Sequence, residues 1–253
     1  MIVKRDAWFT PAGKLRPLHI YLPEEYDHSD EAYPVMYFFD GHNLFSDADA
    51  TYGKCWGLKR FLDRWPKPII AVGIECGHEG RERLIEYCPY HFRTGFFGDL
   101  PGTGDATLRW IIEELKPMID REYRTWPFRE CTAIGGSSMG GLMSLFAVSA
   151  YNSVFSKAAC LSPSVRFCMK DMLADIAAAA PMRDTRVYVS WGENETTTKA
   201  GLARYTNNAM CVVRALLAAG AQVYPYFQPE GAHCEADWCK QNPLYFDFLF
   251  GEG

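Results

Sequence analysis

Short apolar segments, rich in β-branched and aromatic residues and bounded by turn residues, recur along the chain and predict strands. They lie at residues 18–22, 34–39, 69–74, 131–134, 158–161, 187–191 and 223–227. Each is too short for a helix of ordinary length and long enough to cross a sheet. We therefore expect a substantial β-sheet that extends over most of the chain.

Segments with apolar residues every three or four positions lie between the later strands and predict helices. The clearest begins near Asp105 and carries Leu108, Ile111 and Leu115 on one face, and Pro117 should bend or interrupt it. Further helices are predicted at residues 140–150, 169–179, 202–218 and 243–250. Strands that alternate with helices favour an α/β fold with a mostly parallel central sheet and helices on both faces.

The beginning of the chain has a different pattern. Residues 6–10 and 15–22 are separated by the turn sequence Pro11-Ala12-Gly13-Lys14 and predict an antiparallel hairpin at one edge of the sheet. No linker, internal repeat or low-complexity tract interrupts the chain. We expect residues 1–253 to form a single domain.

Composition and charge narrow the function classes. The chain of 253 residues is 48% apolar, which excludes a disordered protein. Its 26 Lys and Arg against 31 Asp and Glu leave a net charge of −5 without a basic block, so we expect no nucleic-acid partner. No apolar run is long enough to span a membrane, and the charged residues near the start do not match a secretion signal. Nine cysteines without a C-x-x-C pair indicate free thiols in a reducing compartment, so we predict a cytoplasmic protein.

A glycine-rich turn between a predicted strand and a predicted helix carries the nucleophile candidate. Gly136-Ser137-Ser138-Met139-Gly140 fits G-x-S-x-G with Ser138 at its centre. Larger side chains two positions away would collide with the neighbouring backbone of such a turn. The N–H of Met139, at the start of the helix, can stabilise an oxyanion. The alternative is a turn that only packs closely or binds phosphate, but the G-K-[ST] ending of a P-loop is missing.

A serine nucleophile needs an imidazole base and an acid, which follow it in the chain order of this fold. Of the six histidines, His233 is the one that lies after Ser138, in a loop just beyond a predicted strand. Between them, Glu193 and Glu195 follow another strand, and both are candidates for the acid. The alternative for His233 is an exposed loop residue without a role.

The loop after the strand at residues 34–39 should supply the second oxyanion donor. We expect the backbone N–H of His42, next to Gly41, to take this role, although Asp40-Gly41 is also compatible with an ordinary turn. Residues 76–104 contain no convincing helix and resemble a long functional loop. Its aromatic residues, with Trp56, predict an aromatic substrate pocket, and core packing beneath the loop is the alternative. The predicted pocket comprises Asp40, Gly41, Asn43, Trp56 and Tyr87, and the aromatic wall adds Tyr90, Phe92, Phe96 and Phe97.

Residues around His233 that could ligate a metal are Cys234, Glu235, Asp237 and Cys239. A structural zinc site normally needs a second ligand pair, and none stands elsewhere in the sequence at a suitable spacing. We expect neither a metal nor a cofactor.

Several of these segments together resemble the putative esterase family of α/β hydrolases, which includes feruloyl, acetylxylan and enterochelin esterases. The resemblance covers nearly the whole chain and rests on residues 34–45, 53–57, 86–90, 115–120, 135–141, 192–195 and 233–238. It implies an α/β-hydrolase fold and a Ser138, His233, Glu195 triad, which favours Glu195 over Glu193. Glutamate stands where many relatives have aspartate.

The resemblance implies a serine carboxylesterase that hydrolyses small or aromatic acyl esters through an acyl-enzyme. Its partner would be a small-molecule ester, and a homo-oligomer is possible. A thioesterase or acyltransferase with the same triad is the alternative within enzymes, since the acyl-enzyme can pass its acyl group to another acceptor. A non-catalytic binding protein on the same fold is the alternative from a different class.

Overall fold

A mostly parallel sheet of eight strands runs through the residues that the computed structural model describes, which are 1–95, 98–179 and 182–251. The order across the sheet is β1-β2-β4-β3-β7-β8-β9-β10. The strands of this sheet are β1 (Ile2–Phe9), β2 (Lys14–Tyr21), β3 (Val35–Phe39), β4 (Ile70–Ile74), β7 (Thr132–Ser137), β8 (Lys157–Leu161), β9 (Arg186–Gly192) and β10 (Gln222–Gln228). A separate antiparallel pair is formed by β5 (Phe92–Thr94) and β6 (Gly98–Leu100).

The predicted fold class is confirmed by the direction of the strands. β1 and β2 form an antiparallel hairpin at one edge, and β2 also pairs antiparallel with β4. From β4 to β10 all neighbouring strands are parallel. Every apolar run assigned to a strand lies in this sheet.

Helices cover both faces of the sheet. They are α1 (Leu58–Leu62), α2 (Glu82–Glu86), α3 (Gly104–Trp110), α4 (Lys116–Glu122), α5 (Met139–Ala150), α6 (Met169–Ala178), α7 (Lys199–Ala218), α8 (Glu235–Trp238) and α9 (Asn242–Phe250). No helix in the described part of the chain combines the length and the apolar character needed to cross a bilayer.

Alternate residues of the buried strands point into two separate cores. In β3, Tyr37 and Phe39 join the core beneath α3 to α7, whereas Met36 and Phe38 join the core beneath α1 and α9. The strands are therefore buried on both faces, which explains why their sequences are continuous apolar runs without alternation. This arrangement directs the carboxyl ends of β3, β4, β7, β8, β9 and β10 toward one edge of the sheet.

The helix predicted from Asp105 continues past Pro117 without a break. A π-helical stretch, Ile111–Leu115, joins α3 to α4, and the N–H of Lys116 donates to the carbonyl of Ile111. Proline cannot donate to the preceding turn, and the wider π turn accommodates it within the helix. The expected irregularity is therefore a local widening just before the proline.

The expectation that residues 76–104 lack a helix is wrong. The helix α2 and the pair β5 and β6 lie within this segment. Each has five residues or fewer, which is too short for a periodic pattern to show. Phe92 is buried in the core, and Phe96 and Phe97 lie outside the described residues.

Candidate active site

The turn at Ser138 connects β7 directly to α5. Ser138 has φ 57° and ψ −118°, a backbone conformation that a residue with a side chain rarely adopts. A Cβ added to Gly136 would lie 2.9 Å from the carbonyl carbon of Gly140, so the close approach of strand and helix requires glycine there. The Ser138 N–H donates to the carbonyl of Leu161 on β8 at 2.9 Å, which fixes the turn against the neighbouring strand.

The hydroxyl of Ser138 has a serine partner. Its Oγ lies 3.1 Å from Oγ of Ser164, and the Ser164 N–H donates to the Ser138 carbonyl at 3.0 Å. No hydrogen bond joins Ser138 to His233 in the described part of the structure, although both residues line the same cavity. Sequence reasoning missed Ser164, which follows β8 and has no motif of its own.

His233 and Glu195 form a hydrogen-bonded pair. Nδ1 of His233 lies 2.9 Å from Oε2 of Glu195, whose side chain is 1% exposed, against 35% for the histidine. Glu193 is exposed, and its Oε2 accepts the N–H of Glu230 at 2.9 Å. Of the two candidate acids, Glu195 is the one that the fold brings to His233.

The loops that carry Glu195 and His233 are packed closely against each other at Gly192 and Gly231. A Cβ on Gly192 would lie 2.3 Å from the carbonyl oxygen of Gly231, and the Asn194 N–H donates to that same oxygen at 2.7 Å. Asp237 fixes the histidine loop from the other side, because its Oδ2 accepts the N–H of Ala232 at 2.8 Å. The loops after β9 and β10 are thus packed together, and the distance between acid and base is set by backbone contacts.

A short chain of hydrogen bonds connects Glu195 to Trp238, whose ring packs against the imidazole of His233. The Nε1–H of Trp238 donates to Ser162 Oγ at 2.9 Å, and Ser162 donates to Glu195 Oε1 at 2.6 Å. The same Oε1 accepts the N–H of Gly192 at 2.6 Å. Burial acts to raise the pKa of Glu195, but its bonds with His233, Ser162 and Gly192 outweigh burial and lower it. Glu195 therefore stays ionised beside the imidazole.

The two expected oxyanion donors lie at the same edge of the sheet, where β3 and β7 end. Met139 is the first residue of α5, and His42 lies in a 3-10 turn that follows β3. Neither backbone N–H has an acceptor among the described residues. Asp40 takes the left-handed conformation, with φ 59°, at the start of this turn. Both amides are available to a substrate oxygen.

A cavity of about 590 Å³ contains Ser138 and His233. Of the predicted pocket residues, Asp40 and Asn43 line it, whereas Gly41, Trp56 and Tyr87 do not. Gly41 is buried against β4, where a Cβ would lie 2.4 Å from the carbonyl carbon of Gly73.

The two predicted pocket aromatics belong to the core. Trp56 is 2% exposed, and its ring packs against Phe38 on the sheet face below. Tyr87 is 1% exposed, and its hydroxyl accepts the N–H of Asp40 at 3.2 Å. Their large apolar rings gain more by leaving water completely than by lining a wet cavity. Tyr87 therefore contacts the cavity indirectly, through its hydrogen bond with Asp40 in the cavity wall.

Polar side chains form much of the cavity wall, and the sequence did not single out one of them, Arg83. Arg83 from α2 donates two bonds of 2.7 Å to the carboxylate of Asp40. Burial acts to raise the pKa of Asp40, but the Arg83 guanidinium outweighs it and lowers that pKa. Glu235 also lines the cavity, and burial raises the pKa of its carboxyl. The wall therefore presents several hydrogen-bonding groups to a ligand.

One cluster in the described residues has side chains of the type that ligate metals. It comprises His42, Cys76 and His78, at the ends of β3 and β4. The alternative ligands considered around His233, which are Cys234, Glu235, Asp237 and Cys239, are not part of it.

Comparison with known proteins identifies the family of the chain. The model of the putative esterase family matches residues 12–241, which include Ser138, Glu195 and His233. The chain belongs to the putative esterase family. This membership places it among the carboxylic ester hydrolases.

The individual relatives and solved structures compared below share a quarter or less of their residues with this chain. The uncharacterized protein YbbA of Bacillus subtilis is 25% identical over 243 residues, which cover 94% of this chain and 93% of YbbA. An IroE-like serine hydrolase from Shewanella oneidensis has a similar structure, with a TM-score of 0.76 and 20% identity over 98% of this chain and 79% of that one. A feruloyl esterase module from Clostridium thermocellum, solved with sinapinate, gives a TM-score of 0.70 and 16% identity over 99% of this chain and 88% of the module.

Proposed function

We propose that this esterase is a serine carboxylesterase in which Ser138 is the nucleophile, His233 the base and Glu195 the acid. One observation carries the proposal. Three separate strand ends supply the strained turn at Ser138, His233 and the buried Glu195 that is hydrogen-bonded to His233, and Ser138 and His233 line one cavity. A strained serine beside an imidazole that a buried carboxylate orients is the arrangement that nucleophilic catalysis requires.

In the first half-reaction, the Ser138 hydroxyl exchanges Ser164 for Nε2 of His233. Nδ1 of this histidine already contacts Glu195, so Nε2 is the nitrogen that takes the serine proton. Ser138 Oγ then attacks the ester carbonyl, and the oxyanion accepts hydrogen bonds from the N–H groups of Met139 and His42. The carboxylate of Glu195 stabilises the imidazolium, which returns its proton to the departing alcohol.

In the second half-reaction, water replaces the alcohol. His233 takes a proton from water, which attacks the acyl-enzyme, and the same proton goes to Ser138 Oγ as the acid is released. The exposure of His233 supports this step, because solvent reaches the base without displacing a protein group. An alcohol in place of water would give acyl transfer.

The cavity wall supports small or aromatic acyl esters that carry hydrogen-bonding groups. Asp40, Arg83, His78 and Glu235 line the cavity, with Tyr52 and Trp238 as aromatic surfaces. A second cavity of about 580 Å³ adjoins it through His42, Thr51 and His78, so that an ester with a polar alcohol could extend into it. A long aliphatic acyl chain would displace water from this polar wall without replacing the hydrogen bonds to that water and is disfavoured.

Labelling with a fluorophosphonate probe tests the nucleophile, because such probes react with an activated serine and not with an ordinary one. We expect one label per chain, located on Ser138 by peptide mass spectrometry. Ser137→Ala is the matched control and should keep the label, because Ser137 lines the same cavity without being at the centre of the turn. Labelling that persists in Ser138→Ala would contradict the proposal.

A further inference from the structure

The neighbouring ends of β3 and β4 bring together three side chains of metal-ligating type. Phe39 and Ile74, the last residues of these strands, are partners in the parallel register. His42 follows the first strand, and Cys76 and His78 follow the second. One ligating atom of each lies within 4.8 Å of the others, and all three residues line the cavity described above.

The imidazole of His42 has one nitrogen engaged and one without a partner. Nε2 lies 2.9 Å from Oγ1 of Thr51. Nδ1 is buried and has no hydrogen-bond partner among the described residues. A buried polar atom without a hydrogen-bond partner destabilises the folded protein. A ligand bound to this nitrogen would remove that destabilisation.

The imidazole of His78 is oriented by a carboxylate. Its Nε2 lies 2.9 Å from Oε2 of Glu75, whose other oxygen lies 2.7 Å from Nε2 of His19. A carboxylate on the far nitrogen of a histidine is the usual support of a metal-binding imidazole. It leaves Nδ1 of His78 for the metal.

Cys76 supplies the third group. It forms no disulfide, it is only 5% exposed, and its thiol lies beside the carboxylate of Asp40. A borderline-soft cation replaces the thiol proton, which passes to solvent, and binds the resulting thiolate. Nitrogen and sulfur ligands of this kind suit zinc and its neighbours and do not suit magnesium or calcium.

We propose that His42 Nδ1, Cys76 Sγ and His78 Nδ1 bind one divalent cation of the zinc class in the wall of the catalytic cavity. Three protein ligands leave a fourth position, which faces the cavity and can hold water or a ligand. Ser138, His233 and Glu195 are not among the ligands. His42 would bind the metal through its side chain, whereas its backbone N–H is the proposed oxyanion donor, so metal binding can be tested apart from hydrolysis.

Cobalt binding to the untagged, chelator-treated protein tests this site, because a thiolate ligand gives cobalt a characteristic near-ultraviolet charge-transfer band. We expect one cobalt ion per chain with this band, and displacement by zinc. Cys76→Ser should lose the band, His78→Ala should bind zinc at least about tenfold more weakly, and Glu75→Gln about 10- to 100-fold more weakly.

His91→Ala is the matched control, because His91 is an exposed histidine paired with Asp99. It should bind both metals as the wild type does. Ser138→Ala should also bind normally, which separates this test from that of the proposed hydrolysis. The absence of a thiolate band in the wild type would overturn the proposal. So would an unchanged zinc affinity in His78→Ala, whose exposed side chain can be removed without unfolding the protein.

Discussion

Replacing Ser162 by alanine tests whether the contacts behind the triad position its acid. Ser162 is 1% exposed, donates to Glu195 Oε1 at 2.6 Å and accepts the Nε1–H of Trp238 at 2.9 Å. Ser162→Ala removes both bonds without touching a reacting atom. The N–H of Gly192 still donates to the same carboxylate oxygen, so the acid keeps its hydrogen bond from the backbone.

The contacts give a magnitude for this change. A hydrogen bond to a charged group contributes about 1.5–3 kcal/mol, and a buried donor left without an acceptor costs about 1–3 kcal/mol. Because both effects act on one network and are not additive, we expect the free energy of unfolding to fall by about 2–4 kcal/mol. The upper value for the lost hydrogen bond to Glu195 is about 3 kcal/mol. If about half of this stabilisation is felt by the imidazolium of His233 in the transition state, kcat falls about tenfold.

Hydrolysis of p-nitrophenyl acetate and urea unfolding measure the two effects. We expect a lower kcat with little change in KM, since Ser162 does not line the cavity. Trp238→Phe should have a smaller effect on kcat, because Ser162 can still donate to Glu195. A folded Ser162→Ala protein with the kcat of the wild type would refute the reasoning.

Ser149→Ala is the control for the loss of a buried serine hydroxyl. Ser149 is also buried and donates to a neutral helix carbonyl, that of Leu145, at 2.8 Å. We expect a destabilisation of about 1 kcal/mol and no change in kcat. A loss of kcat as large as in Ser162→Ala would show that general destabilisation, and not the position of the acid, lowers the rate.

Three further predictions concern the acid, the turn and the half-buried carboxylate of Glu75. Glu195→Gln should lower kcat about 10³- to 10⁴-fold, whereas Glu193→Gln should stay within about twofold, and similar losses in steady-state assays of the two variants would reject the assignment. Gly136→Ala should lower the free energy of unfolding in urea by about 1–3 kcal/mol, because its Cβ would press on Gly140; wild-type stability would contradict this. Glu75 stabilises the fold above its ordinary pKa of 4.5 by at most about 3 kcal/mol, and this is lost as the pH falls toward its folded pKa of about 2. The stability difference between wild type and Glu75→Gln should shrink over that range, and a constant difference would show that the carboxylate charge has no part in it.

Local patterns were sufficient for the sheet and for the turn at Ser138. The inner strands β3, β4 and β7 are buried on both faces, so each is a continuous run without polar alternation that can be recognised without its neighbours. Gly136 is required by the backbone of the turn itself, because its Cβ would meet the backbone of Gly140, and the sequence therefore records this constraint. His233 could be found because the chain order leaves one histidine after the serine.

The environment of a side chain could not be predicted in the same way. Trp56 and Tyr87 occur where a pocket was expected, but whether a ring faces a cavity or a core depends on how separate elements pack. Arg83 lies on a helix of five residues, too short for its pattern to be recognised. The contact of Ser162 with Glu195 joins the ends of two strands and requires their register.

The candidate metal cluster shows the same limit. Cys76 and His78 are two positions apart, but His42 is far from them in sequence and becomes their neighbour only because β3 and β4 are adjacent and parallel. The expectation of no metal was based on ligands near His233, where spacing in the sequence can be inspected. A cluster assembled across two strand ends gives no such spacing.

The central claim is that Ser138 attacks the ester carbonyl, and the direct measurement is the hydrolysis of p-nitrophenyl acetate and butyrate by the wild type and by Ser138→Ala. Both proteins should unfold at similar urea concentrations, since the hydroxyl of Ser138 is only half-buried and has a serine partner. We predict a value of kcat/KM at least about 10⁴-fold lower for Ser138→Ala. Equal rates for the two folded proteins would contradict the account.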